Sequence, residues 1–149
     1  TTISETYLAL PKWDSMRRNV QRIRARHLSH NPKTLQELEV IPERFTVDKD
    51  SEQWLLHFNN DTKLIIFATR DHLLKLSKCS YWIWDGTFKV SPVIMCQLYT
   101  IHGNVEGQWY PIVLAIMKDE TQGLYTELFE TIKEKIRHLF HENASPEFI

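Results

Sequence analysis

The chain has 149 residues, about the length of one domain, and a formal net charge of −1. Hydrophobic residues make up 42% of it, which is too many for a disordered chain and enough for a core. A neutral balance neither favours nor excludes nucleic acid, because local charged patches decide binding. Cys79 and Cys96 stand in no spacing typical of zinc ligands. Nothing resembles a signal peptide or a membrane span, so we expect a reduced intracellular setting and no membrane partner.

The first predicted element is a basic helix that begins at Asp14 or Ser15, both good N-caps. Residues at helical spacing form a narrow stripe: Met16, Val20, Ile23 and His27. The remaining faces carry the only dense basic patch in the sequence, which we call the arginine patch: Arg17, Arg18, Arg22, Arg24 and Arg26. The patch fits contacts with DNA phosphates, and it also fits a solvated helix face that pairs with nearby acids.

A hairpin and a short helix are predicted next. Residues 53–58 and 63–69 have the composition of strands, and the Asn-Asn-Asp at 59–61 is typical of a hairpin turn. Residues 70–78 predict a short amphipathic helix that packs beside the main sheet through three leucines: Leu73, Leu74 and Leu76.

Three strands then follow, over residues 80–85, 93–102 and 108–117. Pro111 lacks an amide proton, so the third strand lies at an edge of the sheet or bulges there. In the second strand, alternation places one set of side chains on a single face: Met95, Gln97, Tyr99 and Ile101. The turn between the second and third strands draws on four residues: Gly103, Asn104, Glu106 and Gly107.

A long helix opens at residues 118–121, with Asp119 and Glu120 in its cap region and first turn, where the helix dipole favours acids. Its spacing predicts a core-packing helix with a buried stripe: Leu124, Leu128, Ile132 and Ile136.

The stretch 81–88 carries the clearest candidate for chemistry. An apolar run through Trp82 and Trp84 leads to Asp85, with Gly86 directly behind it. Asp85 then stands at the end of a buried strand, where side chains meet ligands, and Gly86 lets the backbone approach what Asp85 holds. Asp-Gly is also a strong hairpin-turn signal, and the spacing leaves both interpretations open.

Several motifs together carry a family resemblance. The central ones are Asp-Gly-Thr-Phe at 85–88 with Pro92, Gln-Leu-Tyr-Thr-Ile-His-Gly at 97–103, and Pro-Ile-Val at 111–113. Thr121, Tyr125 and Leu-Phe at 128–129 follow downstream, and Ile-Phe-Ala-Thr at 66–69 with Leu73, Leu74 and Leu76 lies upstream. The chain resembles the catalytic domain of Mutator-like (MULE-type) DNA transposases. The resemblance runs from about Pro11 to the end and is most specific from Asp85 to Phe129.

The resemblance implies an α+β, ribonuclease-H-like fold, whose opening is three antiparallel strands followed by a helix. Such a fold continues with a fourth strand beside the first, and residues 146–149 look like the beginning of that strand. It also implies a site of three carboxylates for Mg²⁺ or Mn²⁺, of which Asp85 is the first. The other two lie beyond residue 149 in the family. We therefore expect a truncated fold, with a basic helical lead-in over 1–52 and a hairpin extension plus the first half of the domain over 53–149.

For function, the resemblance implies DNA cleavage and strand transfer by the complete protein, in the nucleus. We expect this chain alone to be inactive and to bind no metal tightly. The arginine patch and Lys89 are the candidate DNA contacts. The alternative is a domesticated binding or scaffolding module, in which Asp85 is a relic and an unpaired sheet edge recruits a protein partner or a second copy.

The other polar residues fit structural roles better than chemistry. Glu106, Asp119 and Glu120 are expected to be caps and solvated charges. His102 lies on a strand that flanks the first one and could approach Asp85, but we interpret it as a hydrogen-bonded core histidine. Trp82 and Trp84 could stack on bases, and as strand residues beside a core they are expected to pack.

Overall fold

The computed structural model describes residues 13–27, 32–88 and 91–148, and the described residues form an α+β fold. The chain divides into two units between residues 31 and 32. The second unit is built on one six-stranded sheet in the order β1-β2-β5-β4-β3-β6. The strands are β1 (Leu55–Asn59), β2 (Leu64–Phe67), β3 (Tyr81–Thr87), β4 (Gln97–Val105), β5 (Gln108–Met117) and β6 (Glu147–Phe148).

Helices in both units confirm the predicted helical segments. In the first unit, helix α1 covers the predicted basic segment, and its stripe residues Val20 and Ile23 are exposed at 47% and 56%. A 3-10 turn, Glu43–Phe45, precedes the sheet of the second unit. The helices are α1 (Trp13–His27), α2 (Arg70–Ser77) and α3 (Gln122–Phe140).

The hairpin of β1 and β2 forms where the asparagines predict it, with Asn59 opposite Leu64. The side-chain oxygen of Asn59 accepts the backbone N–H groups of Asp61 and Thr62, which closes the turn. The amide of Asn59 and the hydroxyl of Thr62 both donate to Glu127 Oε1 on α3, at 2.6 and 3.1 Å. The hairpin is therefore tied to the long helix as well as to the sheet.

Helix α2 begins with a reciprocal capping box. Thr69 Oγ1 accepts the backbone N–H of His72 at 3.2 Å, and His72 Nδ1 accepts the backbone N–H of Thr69 at 3.3 Å. Leu73 and Leu76 are fully buried, as the amphipathic pattern predicts, whereas the third predicted contact, Leu74, is only partly buried.

Strands β3, β4 and β5 form an antiparallel meander. The link between β4 and β5 is a two-residue turn, Glu106 and Gly107, with φ of 53° and 84°, so its predicted position is confirmed while its predicted extent is too wide. Asn104 remains in the strand and accepts the backbone N–H of Gly107 through its side chain. Strand β4 begins only at Gln97, so Met95 lies outside the predicted alternation and packs in a second cluster with Leu38.

Proline 111 sits at a bulge, as one of the two predicted alternatives requires. His102 pairs with Pro111 and Ile101 pairs with Val113, so Ile112 is the extra residue on β5. Ile112 and Val113 are consecutive in the chain and both buried, which an unbroken strand alternation does not allow. Strand β2 covers β5 only opposite Leu114–Ile116, so Pro111 needs no ladder bond on that side.

The two faces of the sheet carry different cores. Helices α2 and α3 cover one face, where Trp82 and the predicted α3 stripe are buried. Leu38, Ile65 and Met95 anchor a smaller cluster on the other face. After α3 the chain returns to β6, which pairs in parallel with Tyr81 and Trp82 and confirms the predicted fourth strand beside the first. Asp119 and Glu120 precede α3, and its first turn holds no acid, so that part of the prediction is wrong.

Candidate functional site

Asp85 lies inside β3, because the strand runs on to Thr87 and Asp85 pairs with Thr100 of β4. The predicted strand end is therefore two residues too early, and the alternative hairpin turn at Asp85 and Gly86 is wrong. Gly86 stays in the ladder opposite Tyr99 and has no positive φ. Asp85 is exposed.

Side-chain alternation decides which face Asp85 occupies. Trp82 is buried in the helix-side core, and its indole N–H donates to Leu76 O at 3.2 Å. Trp84 packs edge-on against Phe129 of α3, with ring centroids 5.6 Å apart. Residues two apart in a strand share a face, so Asp85 belongs to the opposite face from these tryptophans. We call that surface, with Ile83, Asp85, Thr100 and His102, the open face.

Gly86 is explained by packing on the helix side. A Cβ at this position would lie 2.7 Å from Gln97 Oε1 and 3.5 Å from the ring of Tyr99. Gln97 is almost completely buried, and its amide donates to Tyr125 Oη at 2.8 Å. The missing side chain thus makes room for this buried polar pair beneath Asp85, and the predicted close approach to a ligand is not needed to account for the glycine.

Tyr99 links this packing to the charge of Asp85. Its ring lies 5.3 Å from that of Tyr125. Burial raises the pKa of the Tyr99 hydroxyl above its usual value, and the neighbouring Tyr125 and Asp85 raise that pKa further. Tyr99 is therefore neutral at physiological pH, which leaves Asp85 without a competing negative charge from this side.

Thr100 and His102 share the open face with Asp85. His102 pairs with Ile83 on β3, and Asp85 pairs with Thr100, so the two pairs are two residues apart along each strand and lie on the same face. The Nδ1 atom of His102 is buried and has no hydrogen-bond partner among the described residues. The predicted hydrogen-bonded core histidine is therefore wrong for this atom. Sequence reasoning gave no signal for it, because the register of β3 and β4 is a tertiary property.

The remaining acids take structural positions. Asp119 Oδ1 accepts the backbone N–H and the hydroxyl of Thr121 at 3.1 and 2.8 Å. Thr121 is the N-cap residue of α3, so Asp119 holds the cap residue and is not itself the predicted cap. Glu120 accepts from Cys96 Sγ at 3.6 Å, and Glu106 is exposed in its turn. Within the described ranges, no three His, Cys, Asp or Glu side chains lie close enough to hold a metal ion.

A divalent ion on the open face would therefore find few ligands. Asp85 offers one exposed carboxylate, a hard oxygen ligand of the kind that Mg²⁺ and Mn²⁺ prefer. The orphaned Nδ1 of His102 is a buried polar atom that still needs a partner. Asp85 and His102 could therefore supply one or two protein ligands to a divalent ion, but they do not surround the ion.

The arginine patch is fully exposed on α1, in the first unit of the chain. The guanidinium of Arg18 donates to Asp14 O at 3.2 Å, and none of the five arginines forms an ion pair with another described residue. Lys89, the other predicted DNA contact, lies outside the described residues.

A groove on the helix side of β3 was missed by sequence reasoning. It has a volume of about 590 Å³, and Trp84, Tyr125 and Phe129 form its apolar floor. Strand alternation places Trp84 on the helix side, but only the position of α3 reveals that the ring stays 37% exposed.

Comparison with models of protein families, with curated proteins and with solved structures finds no match to this chain. No helix among the described residues is long and apolar enough to cross a membrane.

Proposed function

We propose that this chain is part of the catalytic domain of a DNA transposase of the Mutator-like type. The sequence motifs around Asp85 support this, and so does the topology. Strands β3, β4 and β5 lie antiparallel in spatial order, α3 crosses the sheet, and β6 returns parallel to β3. A ribonuclease-H-like fold begins with this order of elements.

The observation that carries the proposal is the position of Asp85. Aspartate is depleted from strands, yet Asp85 occupies the interior of β3 on the open face. No hydrogen bond or ion pair joins its carboxylate to another described residue, so its presence there has no structural explanation. A ligand role accounts for an exposed carboxylate on a rigid strand.

The chemistry of the complete domain requires more than this carboxylate. Asp85 would help to hold divalent ions in the complete domain, and such ions would supply activation of an attacking hydroxyl and stabilisation of the leaving oxygen. Asp85 supplies one negative oxygen ligand, and the packing of Gly86 against Gln97 fixes the strand that carries it. One carboxylate cannot neutralise or position two ions, so we expect no cleavage or strand transfer by the 149-residue chain.

Manganese relaxation tests the role of Asp85 directly. Mn²⁺ should broaden the amide signals of the strand residues around Asp85 in an NMR titration of the 149-residue chain. Asp85→Asn should abolish this broadening. Asp71→Asn is the matched control, because Asp71 is an exposed acid that pairs with Lys75 on α2 at 2.7 Å. Equal broadening in wild type and Asp85→Asn would remove the metal role.

Transcript sequencing through the codon of Ile149 tests the wider proposal. The proposal expects the reading frame to continue into an aspartate within a few residues and a further acid downstream. A stop codon at that point, together with a matching mass of the endogenous protein, would contradict it. Strand transfer by the isolated chain in Mg²⁺ would contradict the expected inactivity.

We infer that the arginine patch contacts DNA phosphates. Replacing Arg17, Arg18 and Arg22 with glutamine should weaken DNA binding and reduce the slope of log affinity against log salt by about 0.9 for each lost contact. Lys49→Gln is the control, since Lys49 is an exposed cation of the second unit. No DNA affinity at low salt would end this part of the proposal.

A second candidate function rests on the outer edge of β3. Strand β6 pairs only with Tyr81 and Trp82, so residues 83–87 have no partner on that side in the described part of the chain. An open edge accepts another strand, as expected of a domesticated binding module. Light scattering tests this function: association that rises with protein concentration supports it, and a clean monomer at high concentration excludes self-pairing.

A further inference from the structure

We propose that His102 is a second protein ligand, beside Asp85, for a divalent transition-metal ion on the open face. The inference rests on the proposed function of Asp85 as a metal ligand. It adds a nitrogen ligand to that site and therefore a preference among metals.

The register of β3 and β4 places the two side chains together. Asp85 is opposite Thr100 and Ile83 is opposite His102, so Asp85 and His102 are diagonal neighbours on one face. Diagonal neighbours in an antiparallel pair are about 7–8 Å apart at Cα. Metal bonds to carboxylate oxygen and imidazole nitrogen are each about 2.0–2.2 Å long, and the two side chains cover the rest of this span.

An unsatisfied atom marks the imidazole as incomplete. His102 Nδ1 is buried and has no hydrogen-bond partner among the described residues. Buried polar atoms are nearly always paired, with protein, water or an ion. The imidazole of His72 has an ordinary explanation, since its Nδ1 accepts the backbone N–H of Thr69. His57 Nε2 is also buried without a hydrogen bond, but the carboxylate oxygen Glu127 Oε1 lies 3.6 Å from it. No such ion pair is described for His102, and a metal ion beside Asp85 would supply the missing partner.

The bulge on β5 lies directly beside His102. Its partner on β5 is Pro111, and the ladder slips by the extra residue Ile112 before it resumes at Val113. A bulge raises the local twist and re-aims neighbouring side chains, and bulges are frequent beside functional sites. His102 and its open-face neighbours Ile83 and Thr100 are all partly buried.

A site of one carboxylate and one imidazole has a predictable selectivity. Imidazole suits Mn²⁺ less than Co²⁺ and has little affinity for Mg²⁺, whereas carboxylate oxygens suit all three. Loss of His102 should therefore weaken Co²⁺ and Mn²⁺ binding more than Mg²⁺ binding. Loss of Asp85 should weaken all three.

The test uses the 149-residue chain and two variants, Asp85→Asn and His102→Gln, with His138→Gln as a control at an exposed position of α3. Affinities for Co²⁺ and Mg²⁺ are measured by NMR titration, and the amide spectrum of each variant reports folding. We expect His102→Gln to lower Co²⁺ affinity by at least about tenfold and Mg²⁺ affinity by less than about twofold. His138→Gln should change neither.

The wild-type chain gives an independent measurement if His102→Gln fails to fold. Among its seven histidines, Mn²⁺ should broaden the ring signals of His102 first. One outcome would overturn the ligand role of His102 and leave that of Asp85 standing. In that outcome Asp85→Asn abolishes metal binding, the ring signals of His102 stay sharp in the wild-type chain with Mn²⁺, and His102→Gln binds Co²⁺ as tightly as the wild type. If no metal affects β3 at all, the proposed function of Asp85 fails, and this inference fails with it.

Discussion

Replacing Gly86 with alanine should destabilise the fold, and the structure sets the size of the effect. The new Cβ would lie 2.7 Å from Gln97 Oε1, inside any real Cβ contact. Gln97 cannot swing away freely, because it is 1% exposed and its amide is fixed by Tyr125 Oη and Met117 Sδ.

The magnitude follows from three contributions. Overpacking a well-packed site costs about 1–3 kcal/mol. Moving the Gln97 amide instead leaves buried polar atoms unpaired, which also costs about 1–3 kcal/mol. Alanine in a strand regains about 0.5–1 kcal/mol relative to glycine. Only one of the two costs applies, because moving the Gln97 amide relieves the overlap. A cost of about 1–3 kcal/mol less a gain of about 0.5–1 kcal/mol leaves a net loss of up to about 2.5 kcal/mol, with a central value of about 1 kcal/mol.

In urea unfolding, this loss should appear as a lower urea concentration at the midpoint, with an unchanged m-value. Gly123→Ala is the matched control, because a Cβ there meets nothing within 4 Å and the position is helical. It should stabilise the fold by up to about 1 kcal/mol. In a Gln97→Ala background, Gly86→Ala should lower the free energy of unfolding by less than it does in the wild type. The double-mutant cycle should give a coupling energy of at least about 0.5 kcal/mol. Equal effects of the two glycine variants, or no coupling, would refute the reasoning.

Three further outcomes are expected. Thr69→Ala removes one half of the capping box of α2 and should lower the free energy of unfolding by about 0.5–2 kcal/mol, measured in urea. The raised pKa of Tyr99 means that folding favours its neutral form, so the free energy of unfolding should fall as the pH rises above about 10. Tyr99→Phe should reduce this fall when unfolding is measured over an alkaline pH range. Tyr110→Phe, at an exposed position, should not reduce it. Burial and the neighbouring Glu120 raise the pKa of the Cys96 thiol, so Glu120→Gln should speed its reaction with a thiol reagent at pH 8, and an unchanged rate would contradict the contact.

Local signals in the sequence account for most of the elements that the structure shows. The Asn-Asn-Asp turn between β1 and β2, the leucine spacing of α2 and the long apolar stripe of α3 each depend on residues close together in the chain. The fourth strand was predicted from the family resemblance, since a ribonuclease-H-like fold continues with a strand beside the first. Strand ends were less accurate, since β4 begins at Gln97 where pairing with Met117 begins.

Asp85 and Gly86 show why local turn chemistry can mislead. Asp-Gly favours a hairpin when the glycine takes a positive φ, but Gly86 takes none and stays paired with Tyr99. The reason lies 11 residues further along the chain, where Gln97 occupies the space that a Cβ would fill. A sequence pattern cannot express this requirement, because it depends on the register of two strands and the position of Tyr125.

The candidate site was predictable in part. Asp85 was identified from the motif that it begins, and the structure places it on a rigid, accessible strand. His102 was expected on a strand that could bring it near Asp85, but it was interpreted as a hydrogen-bonded core histidine, because the sequence does not show which buried atoms find partners. Its relation to Asp85 and its orphaned Nδ1 follow from the pairing of β3 with β4 and from the bulge at Pro111.

The two faces of the sheet differ in how completely packing explains them. On the helix side, the polar Gln97 has a structural role, because it donates to Tyr125 and fills the space beside Gly86. His57 Nε2 is buried there without a hydrogen bond, but it lies 3.6 Å from the carboxylate of Glu127. On the open face, neither the carboxylate of Asp85 nor the buried Nδ1 of His102 makes a described hydrogen bond. Both should weaken the fold, because aspartate is disfavoured in strands and a buried unpaired nitrogen is destabilising. Residues that weaken a fold without an internal partner are best explained by an external one. The open face is therefore where a ligand should be sought first, before the larger grooves around α3.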